Sequence, residues 1–228
     1  MRYVVISDLH NCDLFSFEQA AMHERPDYLI CLGDFDTVDT IRHYIDLEKR
    51  LSDKGTKVIT VPGNHDHAIY HDLPIISPKL IEYKLDSHTL HEELMADPVA
   101  KDYIEGLLER PVKELKIEDL PAIILHGGLA GDEESHTDAS LLWNRMIKEE
   151  TITRNFELME KKGYRIMIRG HDHWPLMINE SEEKMFLHGG SFRLQDEMHI
   201  LNPGPLHQEH YILIEDKVVH YKKTYSKI

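Results

Sequence analysis

Five short stretches crowd metal-binding side chains together: Asp8-Leu9-His10, Gly33-Asp34, Gly63-Asn64-His65-Asp66, His126-Gly127-Gly128 and Gly170-His171-Asp172-His173. Imidazole, carboxylate and carboxamide oxygen are the donors divalent transition metals take when no thiolate is offered. Histidine is over-used, at 17 of 228 residues. It is both the commonest metal ligand and a general acid near neutral pH. One histidine at a strand end is most often structural. Five such stretches are not, because burying several Asp and His groups together without a cation is very costly. The chemistry to expect is that of a metal centre.

Each stretch follows a run that suits a buried strand. Arg2 to Ser7 delivers Asp8 and His10, Tyr28 to Leu32 delivers Asp34, and Lys57 to Val61 delivers Asn64, His65 and Asp66. Ala122 to Leu125 delivers His126, and Tyr164 to Ile168 delivers His171 and His173. Between the first strands, Ser16-Phe17-Glu18-Gln19 has the form of a capping box, and the helix it opens stops before Pro26. Ile41, Tyr44 and Ile45 share a face of a second helix that Lys49 and Arg50 close. This β-α-β-α-β order implies parallel strands, which bind ligands beyond their carboxyl ends. All five tips are expected at one sheet edge.

Residues 68–121 break the rhythm with prolines and a helical stretch from about His88 to Glu109. They are expected as a helical insertion that either shapes the pocket or serves as scaffold. His88 and His91 within it are read as a surface pair rather than a second metal site. Residues 139–162 form two helical pieces closed by Lys161-Lys162-Gly163. The last fifty or so residues, with "HYILIE" and "KVVHYKK", alternate as antiparallel strands. No repeat, low-complexity tract or linker interrupts the chain.

Composition narrows the function. A content of 41% hydrophobic and 29% charged residues fits a folded soluble chain. The net charge of −15 opposes broad binding to nucleic-acid backbones. No apolar run approaches the roughly 18 residues of a membrane span. A strand starting at Arg2 leaves no room for a signal peptide. Cys12 and Cys31 make no disulfide framework and fit a reducing cytosol. Cys12, two residues from His10, is read as a small buried residue.

The ordered motifs "DLH", "GD", "GNHD", "HGG" and "GHDH" resemble those of the calcineurin-like metallophosphoesterase superfamily, from Met1 to about Tyr221. "LNPGP" at 201–205 looks like the family's late turn before its closing strands. The resemblance implies an α/β fold: a four-layer α-β-β-α sandwich of two mixed β-sheets flanked by helices. A dinuclear metal site would lie at the carboxyl edge of the strands, in a single domain over residues 1–228. It implies that Asp8, His10, Asp34 and His173 hold one metal. Asp34, Asn64, His126 and His171 would hold the other, with Asp34 bridging. Mixed imidazole and carboxylate ligation fits Mn, Fe, Zn, Ni or Co, with Mn favoured. Two divalent ions, two Asp and a bridging hydroxide leave a charge of about +1, attractive to phosphate; a third carboxylate in place of Asn64 would erase it.

By the same resemblance, His65 is the general acid that protonates the leaving oxygen, with Asp66 orienting its ring. Asp172 would support its two histidine neighbours. The chain departs from the pattern at "GDFDTVD": Thr37 stands where many members carry Asp, so Asp36 or Asp39 is a substitute. The Arg that often follows is missing, and Arg145 or Arg169 is a candidate clamp for the phosphate. The run "HGGLAGDEESHTDASLLWNR" resembles the protein-phosphatase branch and the bacterial diadenosine-tetraphosphatases. The expected function is cytosolic, metal-dependent hydrolysis of a small phosphomonoester or phosphodiester. The alternatives are a serine/threonine protein phosphatase, a diadenosine-tetraphosphatase-like hydrolase, or a non-catalytic module of the kind found in the retromer subunit that resembles this family.

Overall fold

The computed structural model describes residues 1–75, 80, 84–131, 139–181, 183–186 and 189–224. Its core is two six-stranded mixed sheets. The first runs in the order β3-β2-β1-β11-β12-β9 and the second β4-β5-β6-β10-β7-β8. In the first, β1 (Arg2–Ile6), β2 (Tyr28–Cys31) and β3 (Lys57–Thr60) are parallel, and β11 (His210–Glu215) joins β1 antiparallel. In the second, β5 (Leu120–Ile124), β6 (Ile166–Ile168) and β10 (His199–Asn202) are parallel. β12 (Val218–Lys223) pairs with β11 and with β9 (Gly190–Arg193), all antiparallel. β7 (Leu176–Asn179) and β8 (Lys184–Phe186) complete the second sheet, also antiparallel.

Strand alternation explains the layers. Tyr3 and Val5 of β1 point between the sheets, with Ile30, Ile124, Ile166, Ile168 and Ile212. Val4 and Ile6 point the other way, into a layer with Phe17 of α1 (Phe15–Glu24) and Tyr44 of α2 (Val38–Ser52). Met167 of β6 points outward against Ile152, Phe156 and Met159 of a helix over Glu149–Lys162. Fully buried strands need apolar residues on both faces, so these runs are continuous rather than alternating. Ile212 lies between the sheets at 0% exposure. Ile212→Ala is expected to cost about 3 kcal/mol, by lost transfer energy and a cavity, and to lower the urea midpoint at unchanged m. A midpoint equal to wild type would contradict this packing.

Several local expectations differ from the structure. α1 starts at Phe15, so Ser16 lies inside the helix; the freed N–H of Phe15 donates to Asp13 Oδ1 at 3.0 Å instead. The helical stretch after residue 87 is two helices, α4 (Ser87–Ala96) and α5 (Pro98–Leu108), with α3 (Asn64–Tyr70) before them. Asp97 caps α5 by accepting from Ala100 N, and Pro98 takes the first helical position, where no N–H is needed. Leu90, Leu94, Ala100 and Ile104 bury into the helical layer of the first sheet. The same stretch also holds β4 (Lys113–Ile117), an edge strand paired with β5. Its "KELKI" carries apolar residues only at Leu115 and Ile117, too few to announce a strand. The final strands are not all antiparallel, since β10 lies parallel to β6.

Candidate metal centre

The five tips come from two sheets, not one: β1, β2 and β3 from the first, β5 and β6 from the second. They meet because the two parallel triplets present their carboxyl ends at the same edge of the sandwich. The seam is hydrogen-bonded across the sheets. His126 Nδ1–H donates to Leu32 O at 2.5 Å, His171 N–H to Asp8 Oδ1 at 3.1 Å, and Leu206 N–H to Ser7 O at 2.8 Å.

Asp8, His10, Asp34, His171 and His173 all have φ between 50° and 72°, and so does Asp36 at 61°. Left-handed backbone is sparsely populated by residues with a Cβ, and Asp and His are among those that tolerate it best. The residues fall in i, i+2 pairs. The chain therefore turns twice within three residues past β1, β2 and β6, and turns both outer side chains to the same side. Gly63 must be glycine for a different reason: a Cβ there would sit 1.9 Å from Asp34 Oδ1.

The donor atoms converge. Asp8, His10, Asp34 and His173 each offer one atom within 4.8 Å of the others. His10 Nε2 and His173 Nε2 face each other at 3.1 Å, and His173 Nε2 lies 3.3 Å from Asp8 Oδ1. On the other side, Asn64 Oδ1 meets His171 Nδ1 at 2.7 Å and His126 Nε2 at 3.0 Å, and His126 Nε2 is 3.3 Å from Asp34 Oδ2. The bond from His126 Nδ1–H to a main-chain carbonyl fixes the tautomer and leaves Nε2 available for ligation, the usual support of a metal-binding histidine. His10 is fixed the same way by Asp36 Oδ2 at 3.0 Å. This donor set, buried and without thiolate, fits divalent metal ions.

Electrostatics are those of a cluster built around positive charge. Burial favours the neutral acids, yet His173 and His126 hold the Asp8 carboxyl well below its ordinary value, and His126 and His65 do so for Asp34. Burial would depress His65 and His126; Asp34 and its neighbours instead raise them to about 10 and about 9. Burial, helped by His126 and Arg169, pushes His171 down to about 3, a neutral ring suited to ligation.

Asp36 is the residue that sequence reasoning left undecided. It is 4% exposed and accepts from His65 Nδ1–H at 2.6 Å and from His10 Nδ1–H at 3.0 Å. Asp39 is exposed at the start of α2. The expected partnership of Asp66 with His65 is not formed. Asp66 spends both oxygens on main-chain N–H groups: Gly63 at 2.7 Å, Asp34 at 2.8 Å and Phe35 at 2.9 Å. It ties the loop after β2 to the loop after β3. The repeat of the D-x-H spacing in "DFD" was the available signal for Asp36.

Arg169 is not placed to clamp a ligand. It is 1% exposed, its Nε–H donates to Gly127 O, Nη1 pairs with Asp172 and Nη2 donates to Asn144 O. Arg145 is exposed. His88 pairs with Asp72 at the surface and His91 Nδ1–H donates to Ile69 O, so neither joins a metal cluster among the described residues. Burial pushes the Cys12 thiol up to about 12, an unreactive form. The "GDEESHTD" part of the branch-like run falls largely outside the described residues. Among the described residues, no helix is long and apolar enough to cross a membrane.

Solved structures share this architecture. A metallophosphoesterase from Sphaerobacter thermophilus superposes with a TM-score of 0.70 at 21% identity, covering 99% of this chain and 88% of that one. A cold-active protein-tyrosine phosphatase of a psychrophilic Shewanella species gives 0.59 at 13% identity, over 98% and 80%. Vps29 from Entamoeba histolytica, complexed with Zn2+, gives 0.50 at 13%, over 98% of both chains. No curated protein matches the chain. The profile of the calcineurin-like phosphoesterase superfamily domain matches residues 1–214, a span that holds every strand tip described above. The chain belongs to the calcineurin-like phosphoesterase superfamily.

Proposed function

We propose that this protein hydrolyses phosphate esters of small molecules at a two-metal centre. The observation that carries the reading is the convergence of Asp8, His10, Asp34 and His173 beside Asn64, His126 and His171, with the tautomers of His10 and His126 fixed for ligation. In this reading the first four hold one divalent ion, and Asp34, Asn64, His126 and His171 hold the second. Mn is the favoured metal and the cytosol the expected compartment. When bound, such ions bind phosphate oxygens and make water a competent nucleophile at neutral pH.

The remaining steps belong to the chain. His65 keeps Nδ1–H on Asp36, which leaves Nε2 to hold the proton for the departing oxygen. Asp36 also keeps His10 in its ligating tautomer, so one carboxylate positions both a ligand and the acid. Ser7 O–H and the His171 N–H hold Asp8 in place.

The test is a panel of phosphomonoesters, phosphodiesters, dinucleoside polyphosphates and phosphopeptides, with Mn, Ni, Co and Zn added singly. Two ions per chain and metal-dependent turnover of a small ester are expected. Two ions without turnover of any ester would favour the interaction-module reading. No more than one ion after saturation with Mn would overturn the ligand assignment.

A further inference from the structure

The chain has two tryptophans, and neither is in the core. Tryptophan is on average a highly buried residue. Here Trp143 is 39% exposed and Trp174 is 57% exposed. Each adjoins a segment that carries residues of the candidate centre. Trp174 directly follows His173. Trp143 ends α6 (Ser140–Trp143), and its ring stands edge-on to His67 at 6.5 Å and 86°. His67 is one helical turn beyond Asn64 on α3, about 4.5 Å along the axis and on the same face.

The placement of Trp143 is rigid. Gly127 N–H donates to Leu141 O at 2.9 Å, and Asn144 Nδ2–H to Gly128 O at 2.8 Å. Arg169 Nη2 donates to Asn144 O from the β6 side. A Cβ on Gly127 would lie 2.5 Å from Leu141 O, so the glycine after His126 is what lets α6 close on the site. Behind Trp143, the His67 ring packs on the His71 ring at 4.7 Å. Burial, helped by His71, lowers the pKa of His67, which favours the neutral ring.

We propose that Trp143, backed by His67, is a stacking platform for a flat aromatic ring carried on the organic group of the substrate. The ring belongs to a nucleobase or an aryl group; the shared chemistry is a π-face within reach of a phosphate held at the centre. This rests on the hydrolytic reading above and adds the substrate class. Exposed aromatics on fixed elements recognise bases through their faces, with little sequence preference and a substantial contribution per ring.

The test compares esters that differ only in the ring. Nucleoside 5′-monophosphate is set against ribose 5-phosphate, and 2-phenylethyl phosphate against ethyl phosphate; within each pair the leaving oxygen is the same kind of alkoxide. Trp143→Ala is expected to lower kcat/KM on the ring-bearing esters on the order of 10-fold to 100-fold and to leave the ringless ones unchanged. Trp143→Phe should restore most of the loss. A loss confined to the nucleotide assigns a base, and a loss on both ring-bearing esters assigns a general aromatic face. Equal losses with and without the ring, or no loss at all, would overturn the proposal. Binding of the same ligands to the Mn-loaded chain, followed by tryptophan fluorescence, separates this from the parent reading. Ring-dependent binding without turnover keeps the platform and removes the hydrolase, whereas turnover without ring dependence does the reverse.

Discussion

Asp34→Asn is expected to lower the occupancy of both metals and to cut hydrolysis on the order of 10³-fold. The reason is position. Asp34 lies in the cluster with Asp8, His10 and His173, and its Oδ2 is also 3.3 Å from His126 Nε2 on the other side. Asp8, the other carboxylate among these residues, lies farther from His126 Nε2, at 3.9 Å. Removing its charge weakens both sites, and a metal centre of this kind contributes several kcal/mol, each 1.36 kcal/mol being tenfold in rate. The fold should survive, because the Asn oxygen can still accept the His65 N–H that Asp34 Oδ1 accepts at 2.8 Å. His173→Ala is the control: it should empty mainly one site. Metal content is measured after competition with a chelator. Equal content in wild type and Asp34→Asn, with an unchanged circular dichroism spectrum, would remove Asp34 from the bridging position.

His65→Asn should keep both metals and lose roughly 10²–10⁴ in kcat on alkyl phosphates. The loss should be clearly smaller on a nitrophenyl ester, because nitrophenolate departs readily without a proton and an alkoxide does not. Asp36→Asn should follow the same trend more weakly, since Asp36 holds the ring nitrogen opposite the one that delivers the proton. It should also loosen metal at His10, its second partner. Asp66→Asn should behave differently. It turns one of the two oxygens that serve three main-chain N–H groups into a donor, so it is expected to lower stability by about 1–3 kcal/mol with no dependence on the leaving group. Equal losses across leaving groups in His65→Asn at full occupancy would mean that another group supplies the proton.

The tips of the five strands were legible because strand content is local. A short β-branched run followed by Asp, Asn or His needs no tertiary information, and the order of the motifs carried the family and the paired sheets. What lay beyond local reach was which carboxylate meets which imidazole. On the resemblance alone Asp66 is the partner expected for His65, and Asp36 and Asp39 are open alternatives for the Asp that Thr37 replaces. The left-handed φ at Asp34 and Asp36 decides between them, together with the contact of one strand tip on the next. Asp66 was diverted by main-chain N–H groups that only the folded loops bring to it. Arg169 stands beside the metal motif in sequence, but in the fold each of its three guanidinium nitrogens donates to a protein partner. β4 was invisible because its order comes from pairing with β5 rather than from its own sparse apolar pattern. The sequence by itself determined which candidate donors the strand tips carry, their order and the edge of the fold they occupy, since these follow from residue chemistry and strand period. Only the tertiary structure decided that the edge is shared by two sheets, that Asp36 serves both His10 and His65, and that Trp143 lies against His67, because those depend on backbone handedness and on close approach between segments far apart in the chain.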